Sequence, residues 1–145
     1  MATPDYLSLA EAKESLKSVL NVYNDDAGAY DADRLTADIN GCESEVNAAI
    51  RGRYTVPATS SVSILFLSQL TLSLLRNRAY SRLASVETPI VVLSEAKAAR
   101  QQLRDISAGK LQLPDESQNT TTGVGQYFNY SSNTPRMTRS KLEGF

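Results

Sequence analysis

The sequence contains no histidine. That removes the side chain most often used for proton transfer near neutral pH, and the commonest metal ligand with it. No nucleophile–base pair, metal-ligand set or phosphate-binding loop can be assembled from the spacing of the remaining groups, so neither an enzyme nor a cofactor is expected. Cys42 is the single cysteine, which excludes an intrachain disulfide and fits a reducing compartment. A dominant charge is also missing. The formal net charge of -1 supplies no global attraction to nucleic acid or to an anionic membrane. The opening MATPDYLSLAEA lacks the basic and apolar regions of a secretory signal, so the protein is expected to act in the compartment where it is made. The densest apolar run, Val62 to Leu83, is broken by Ser63, Ser68, Gln69, Thr71 and Ser73 and closed by Arg76. It falls short of the roughly 20 apolar residues that cross a bilayer, and no membrane association is expected.

What remains is ordinary globular material: 145 residues, 41% hydrophobic and 21% charged, enough for one domain with its own core. The Val62–Leu83 run reads as a central helix, apolar nearly all round and therefore covered on several faces, with Ser60 and Ser61 able to cap its start. Arg76, Asn77 and Arg78 mark its emergence toward solvent. Ser8-Leu9-Ala10-Glu11 is a capping box opening a first helix in which Leu9, Ala12, Leu16, Val19 or Leu20, and Tyr23 recur at helical spacing, up to the turn formers Asn24 to Gly28. A second helix, capped by Asp31 or Asp33, carries the seam Leu35, Ile39, Cys42, Val46, Ala49, with Gly41 placed for a close crossing and Gly52 at its end. On this seam Cys42 is expected to be a buried structural thiol. A fourth helix, with Thr88 able to cap and Pro89 in its first turn, carries Val92, Ala96, Ala99, Leu103 and Ile106 and stops at Gly109. Lys97, Arg100 and Arg104 lie on its outer face, as a solvated stripe. The predicted architecture is all-α, a four-helix-bundle-like domain over 1–113.

The acidic loop Asn24 to Asp33 does not match a calcium-binding loop, because counting from Asn24 puts Ala29 at the position of the required glycine and Leu35 at that of the glutamate. A capped turn is expected instead. Residues 114–145 have a different character, polar and free of helical periodicity yet studded with aromatic and apolar groups to the last residue. Such a segment is expected to be an extended docking arm, with a reach on the order of 100 Å. Tyr127, Phe128, Tyr130, Met137, Leu142 and Phe145 are its candidate apolar anchors, and Arg136, Arg139 and Lys141 its candidate partners for acidic groups.

Three motifs in order carry a resemblance: Gly52-Arg53-Tyr54 with Pro57; Leu103-Arg104-Asp105-Ile106 with Ala108-Gly109; and Pro135-Arg136-Met137-Thr138-Arg139-Ser140-Lys141-Leu142-Glu143-Gly144-Phe145. Together they resemble the small helical proteins of Mu-like bacteriophages and prophages, long carried as a domain of unknown function and similar to head-to-tail adaptor, or head-completion, proteins. The resemblance implies a structural virion protein, assembled in the host cytoplasm, that forms a ring of usually twelve subunits beneath the portal protein. Such a ring provides the surface on which the neck or a tail-completion protein docks, with C-terminal arms engaging the portal or neighbouring subunits and genomic DNA passing through the channel without specific binding. A tail-completion or tail-terminator protein that binds tail tube components is the nearest alternative, and a small regulatory binding module a more distant one. Relatives often keep a more regular Asp/Gly-rich loop after the first helix. Asn24 to Asp33 departs from that pattern, so no ion role is carried over.

Overall fold

The computed structural model describes residues 5–83 and 87–119. They form α1 (Leu9–Ser15), a 3-10 turn (Leu20–Tyr23), α2 (Ala32–Ile50), α3 (Ser61–Ser81) and α4 (Ile90–Ser107). Among the described residues the chain is all-α, with two isolated β-bridges, Asn24 to Tyr30 and Tyr54 to Gln118. α2, α3 and α4 pack on one another, while α1 and the 3-10 turn lie against α2. The pairs Arg76–Glu95 and Arg82–Asp38 set α3 antiparallel to both neighbours, and Arg100–Glu45 together with Arg53–Ser107 set α2 and α4 parallel.

The seams of α2 and α4 follow the apolar periodicity. Val92, Ala96, Ala99, Leu103 and Ile106 are all buried, as are Leu35, Ile39, Cys42 and Val46. At the end of α2 the buried residue is Ile50 and Ala49 is only half-buried. The capping box of α1 forms as expected, with the Ser8 hydroxyl and the Glu11 carboxylate each taking a backbone donor. The first helix is nevertheless short. It ends at Ser15, and the tighter winding that follows still places Leu16, Val19 and Tyr23 in the core while aiming the Tyr23 hydroxyl at Asp38, 3.0 Å away.

α3 departs most from expectation. Its buried face is Ser63, Leu67, Leu70, Thr71, Leu74, Leu75 and Ala79, whereas Val62 and Leu65 are 47% and 64% exposed. Two of the polar residues that interrupt the apolar run thus lie inside. They fit because each hydroxyl has an acceptor, Thr71 donating within the helix to the Leu67 carbonyl at 2.9 Å and Ser63 to the carbonyl of the distant Pro114. Ser60 occupies the cap position without a side-chain bond, and the carboxylate of Glu116 accepts from the N–H groups of Thr59 and Ser60 at 2.6 and 2.7 Å. A charge from a distant segment replaces the local serine cap, at the end where the helix dipole favours an anion. Pro89, not Thr88, sits at the cap of α4, again with no side-chain bond. Arg76 and Arg78 do not simply emerge into water; both are half-buried and paired, with Glu95 and Asp38 respectively.

α2 carries two buried carboxylates. Glu43 accepts from the backbone N–H groups of Asp5 and Tyr6, both at 2.7 Å, and of Leu7 at 3.0 Å. Asp38 accepts from Arg82 at 2.7 Å and from Tyr23, with Arg78 at 3.8 Å. The guanidinium of Arg78 fills the space beside Gly41 that a Cβ would occupy, so that glycine admits a side chain where a close helix crossing was expected.

Truncating Glu43 would leave three backbone donors without their acceptor. Glu43→Ala should lower unfolding free energy by on the order of 2–3 kcal/mol, read from urea denaturation; an unchanged midpoint would mean that the 5–7 segment does not depend on the carboxylate. A second expectation concerns alkaline pH. Burial pushes the Cys42 thiol up from 9.0 to about 11, and burial followed by the Asp38 charge pushes Tyr23 well above its ordinary 10.0. Each group holds its proton more tightly folded than unfolded, so its contribution is complete below the unfolded pKa and is lost as pH rises through the folded one. The denaturation midpoint should therefore fall from about pH 9 upward, and at pH 8 Cys42 should resist a thiol reagent until the protein is unfolded; stoichiometric labelling of the native protein would contradict the buried setting.

Candidate functional site

The ends of α2 and α4 converge, and the first two motifs meet there. Past Ile50 the chain tightens, the N–H groups of Arg53 and Tyr54 both donating to the Ile50 carbonyl, and this turn carries Arg53 toward α4 and Tyr54 into the core. Arg53 Nε donates to the Ser107 carbonyl at 3.1 Å, satisfying one of the free acceptors at the end of α4. The Tyr54 hydroxyl accepts from the N–H of Leu113 at 3.1 Å. Gly109 has φ 75°, and a Cβ on it would overlap the Arg53 guanidinium. Glycine is required there twice over, by the backbone conformation and by the arginine.

Between these ends lies an open cavity of about 600 Å3, lined by Ala48, Arg51, Gly52, Arg53, Ser107 and Asn119 among others. A second hollow along the α2–α4 seam shares Ala49 and Ser107 with it and is lined by Glu45, Arg100 and Arg104, and a third, on the outer face of α4, shares those two arginines and is lined by Lys97 and Gln101. The last described residues close one side: Asn119 donates its N–H to the Arg53 carbonyl at 2.6 Å and accepts from the Thr55 hydroxyl at 2.9 Å. Residues 114–119, at the start of the expected arm, are thus hydrogen-bonded to the helical body.

Electrostatically the groove is one-sided. Arg51, Arg53, Lys97, Arg100 and Arg104 line these hollows with the carboxylate of Glu45, which pairs with Arg100 at 3.0 Å, while Asp105 beside them accepts from Gln101 at 3.0 Å. Arg51, Lys97 and Arg104 have no carboxylate partner among the described residues. A near-neutral protein therefore concentrates its cations locally, in planar guanidinium groups suited to carboxylates and other oxyanions. The opposite end of α2 carries the acidic loop. Asp25 accepts from the N–H groups of Ala27 and Ala29, Asp31 caps α2, and Arg34 reaches Asp31 at 3.3 Å and Asp26 at 3.7 Å. Lys13 lies over the Tyr30 ring at 4.2 Å, tying the loop to α1. Among the described residues no group of three or more acidic or cysteine side chains could hold a metal ion, and no helix is long and apolar enough to cross a membrane.

The anchors expected in the arm, Tyr127, Phe128, Tyr130, Arg136, Met137, Arg139, Lys141, Leu142 and Phe145, lie outside the described residues. Lys97, Arg100 and Arg104 are exposed, as their outer-face position in the sequence predicts, whereas Arg51 and Arg53 do not stand out in the sequence as parts of a surface. The available signal was Arg51-Gly52-Arg53 at a helix end, which has no meaning until α4 is laid beside it.

Comparison with curated proteins finds none that matches. A family model described as Bacteriophage Mu, Gp36 matches residues 2–129, which takes in both converging motifs. That match covers most of the chain, and the protein belongs to the bacteriophage Mu Gp36 family.

Proposed function

We propose that the protein is a structural, non-catalytic component of phage morphogenesis: a head-to-tail adaptor that forms a ring beneath the portal and offers the docking surface for the neck or tail. Family membership over residues 2–129 carries this reading. The body is suited to it, because a ring closed by rotation uses heterologous contacts and each subunit must present two different complementary patches. The groove and the acidic loop are two such patches of opposite sign at the two ends of α2. Assembled at the head–tail interface, the ring would let genomic DNA pass without retention, which the net charge of -1 favours.

In this reading the arm supplies the portal contacts. Tyr127, Phe128, Tyr130, Met137, Leu142 and Phe145 fill apolar pockets, while Arg136, Arg139 and Lys141 pair with acidic groups on the portal or a neighbouring subunit. Repetition of weak arms around one ring gives an avidity that no single arm has.

Light scattering of the protein with portal rings of the same phage should show attachment in a defined multiple. Deletion of Pro135 to Phe145 should leave helix content and thermal midpoint unchanged and abolish attachment. A truncated protein that still attaches would remove the arm from the mechanism, and association with tail tube components in place of the portal would replace the adaptor reading with tail completion.

A further inference from the structure

The cationic groove and the acidic loop are fixed at opposite ends of one rigid element. α2 has 19 residues and is about 28 Å long. At its N-terminal end Asp25, Asp26 and Asp33 are exposed, with Arg34 the neighbouring cation on α2. At its C-terminal end Arg51 begins the groove, which Arg53 and the α4 cations continue. Because α2 and α4 run parallel, the start of α4 lies at the acidic end, and there Ile90, Val91 and Leu93 are 83%, 64% and 43% exposed. Because α3 runs the other way, its exposed Val62 and Leu65 lie at the basic end. The acidic loop and the cationic groove each lie at an end that also carries uncovered apolar side chains.

From this arrangement we infer that the α2–α4 groove receives the Asn24–Asp33 loop of a second copy of this chain, so that copies associate head to tail. The inference deepens the adaptor reading, on which it rests for the closing of successive contacts into a ring. The protein's own distal segment is the wrong occupant on charge grounds: residues 120–145 bring Arg136, Arg139 and Lys141 against one carboxylate, Glu143. The loop has the right sign and a fixed shape. Asp25 and Asp31 are used internally to hold the turn and cap α2, while Asp26, fully exposed and paired only at 3.7 Å with Arg34, and the exposed Asp33 remain accessible to guanidinium groups that lack a carboxylate partner in their own subunit. Contacts of this kind join one surface to a different surface of the next copy, and they leave a groove and a loop free at the ends of any open chain.

The test is charge reversal in the full-length protein, with Arg51→Glu plus Arg104→Glu at one end and Asp26→Lys plus Asp33→Lys at the other. None of these four side chains holds the fold together in the way Asp31, Asp38 or Glu43 does, and circular dichroism checks that each variant is folded. Sedimentation is followed over a concentration series at low salt, alone and with portal rings. Each pair of reversals should weaken self-association about tenfold or more. Mixing the two variants, or placing all four substitutions in one chain, should restore it, since each reversed surface then meets its opposite. Salt should weaken the wild-type association.

Equal association by wild type and both variants would overturn the groove–loop contact while leaving a ring on the portal intact. Loss in each variant without recovery on mixing would also overturn it, and if duplex DNA binding fell with the arginine reversals the groove would be assigned to phosphate. Wild-type protein that never self-associates, in solution or on portals, would overturn both this contact and the ring.

Discussion

Two acidic side chains on one helix hold the parts of this protein in register. Asp38 and Glu43 lie on the buried side of α2, five residues apart, and each gathers groups from a different direction. Glu43 takes the backbone donors of residues 5–7, so the N-terminal segment is pinned before α1 begins. Asp38 takes Arg82 and Arg78 from the end of α3 and Tyr23 from the 3-10 turn. Buried carboxylates are costly to desolvate unless their lone pairs are filled, so these contacts tolerate few alternative arrangements. Hydrophobic burial supplies most of the attraction between the helices, and the two acids choose which packing is used.

The same helix explains why charge is separated across the molecule. With its middle committed to structural carboxylates, α2 carries an acidic loop before its first turn and two arginines just past its last. α3 antiparallel and α4 parallel then bring the C-terminal half of α4 beside those arginines, turning a helix end into a groove. Arg53 belongs to both the fold and the surface. Its Nε closes the end of α4, and the rest of the guanidinium occupies the space that Gly109 leaves open.

The segment after α4 is part of this construction. Pro114 accepts from Ser63, Glu116 receives the N–H groups before α3, Leu113 donates to Tyr54, and Asn119 bonds to Arg53 and Thr55 in the connector. The chain therefore leaves the described body beside the groove.

Periodicity by itself determined the all-α class, the α2 and α4 seams, the α1 capping box, the stop at Gly109 and the burial of Cys42, because these depend on residues three or four apart within one element. Family membership was also legible, since Gly52-Arg53-Tyr54 and Leu103 to Gly109 are linear motifs. Tertiary structure decided the rest. α3 is apolar on too many sides for its own sequence to say which face is covered, and the choice went to the face bearing Ser63 and Thr71 because Pro114 and Leu67 could satisfy them. The cap of α3 comes from Glu116, and the first helix gives way to a 3-10 turn whose Tyr23 meets Asp38. The groove needs Arg51, Arg53, Arg100 and Arg104 from two helices whose parallel alignment no local pattern encodes. Interactions between residues some fifty positions apart fixed that alignment, which is why the solvated stripe of α4 comes to lie beside Arg51 and Arg53 only in the fold.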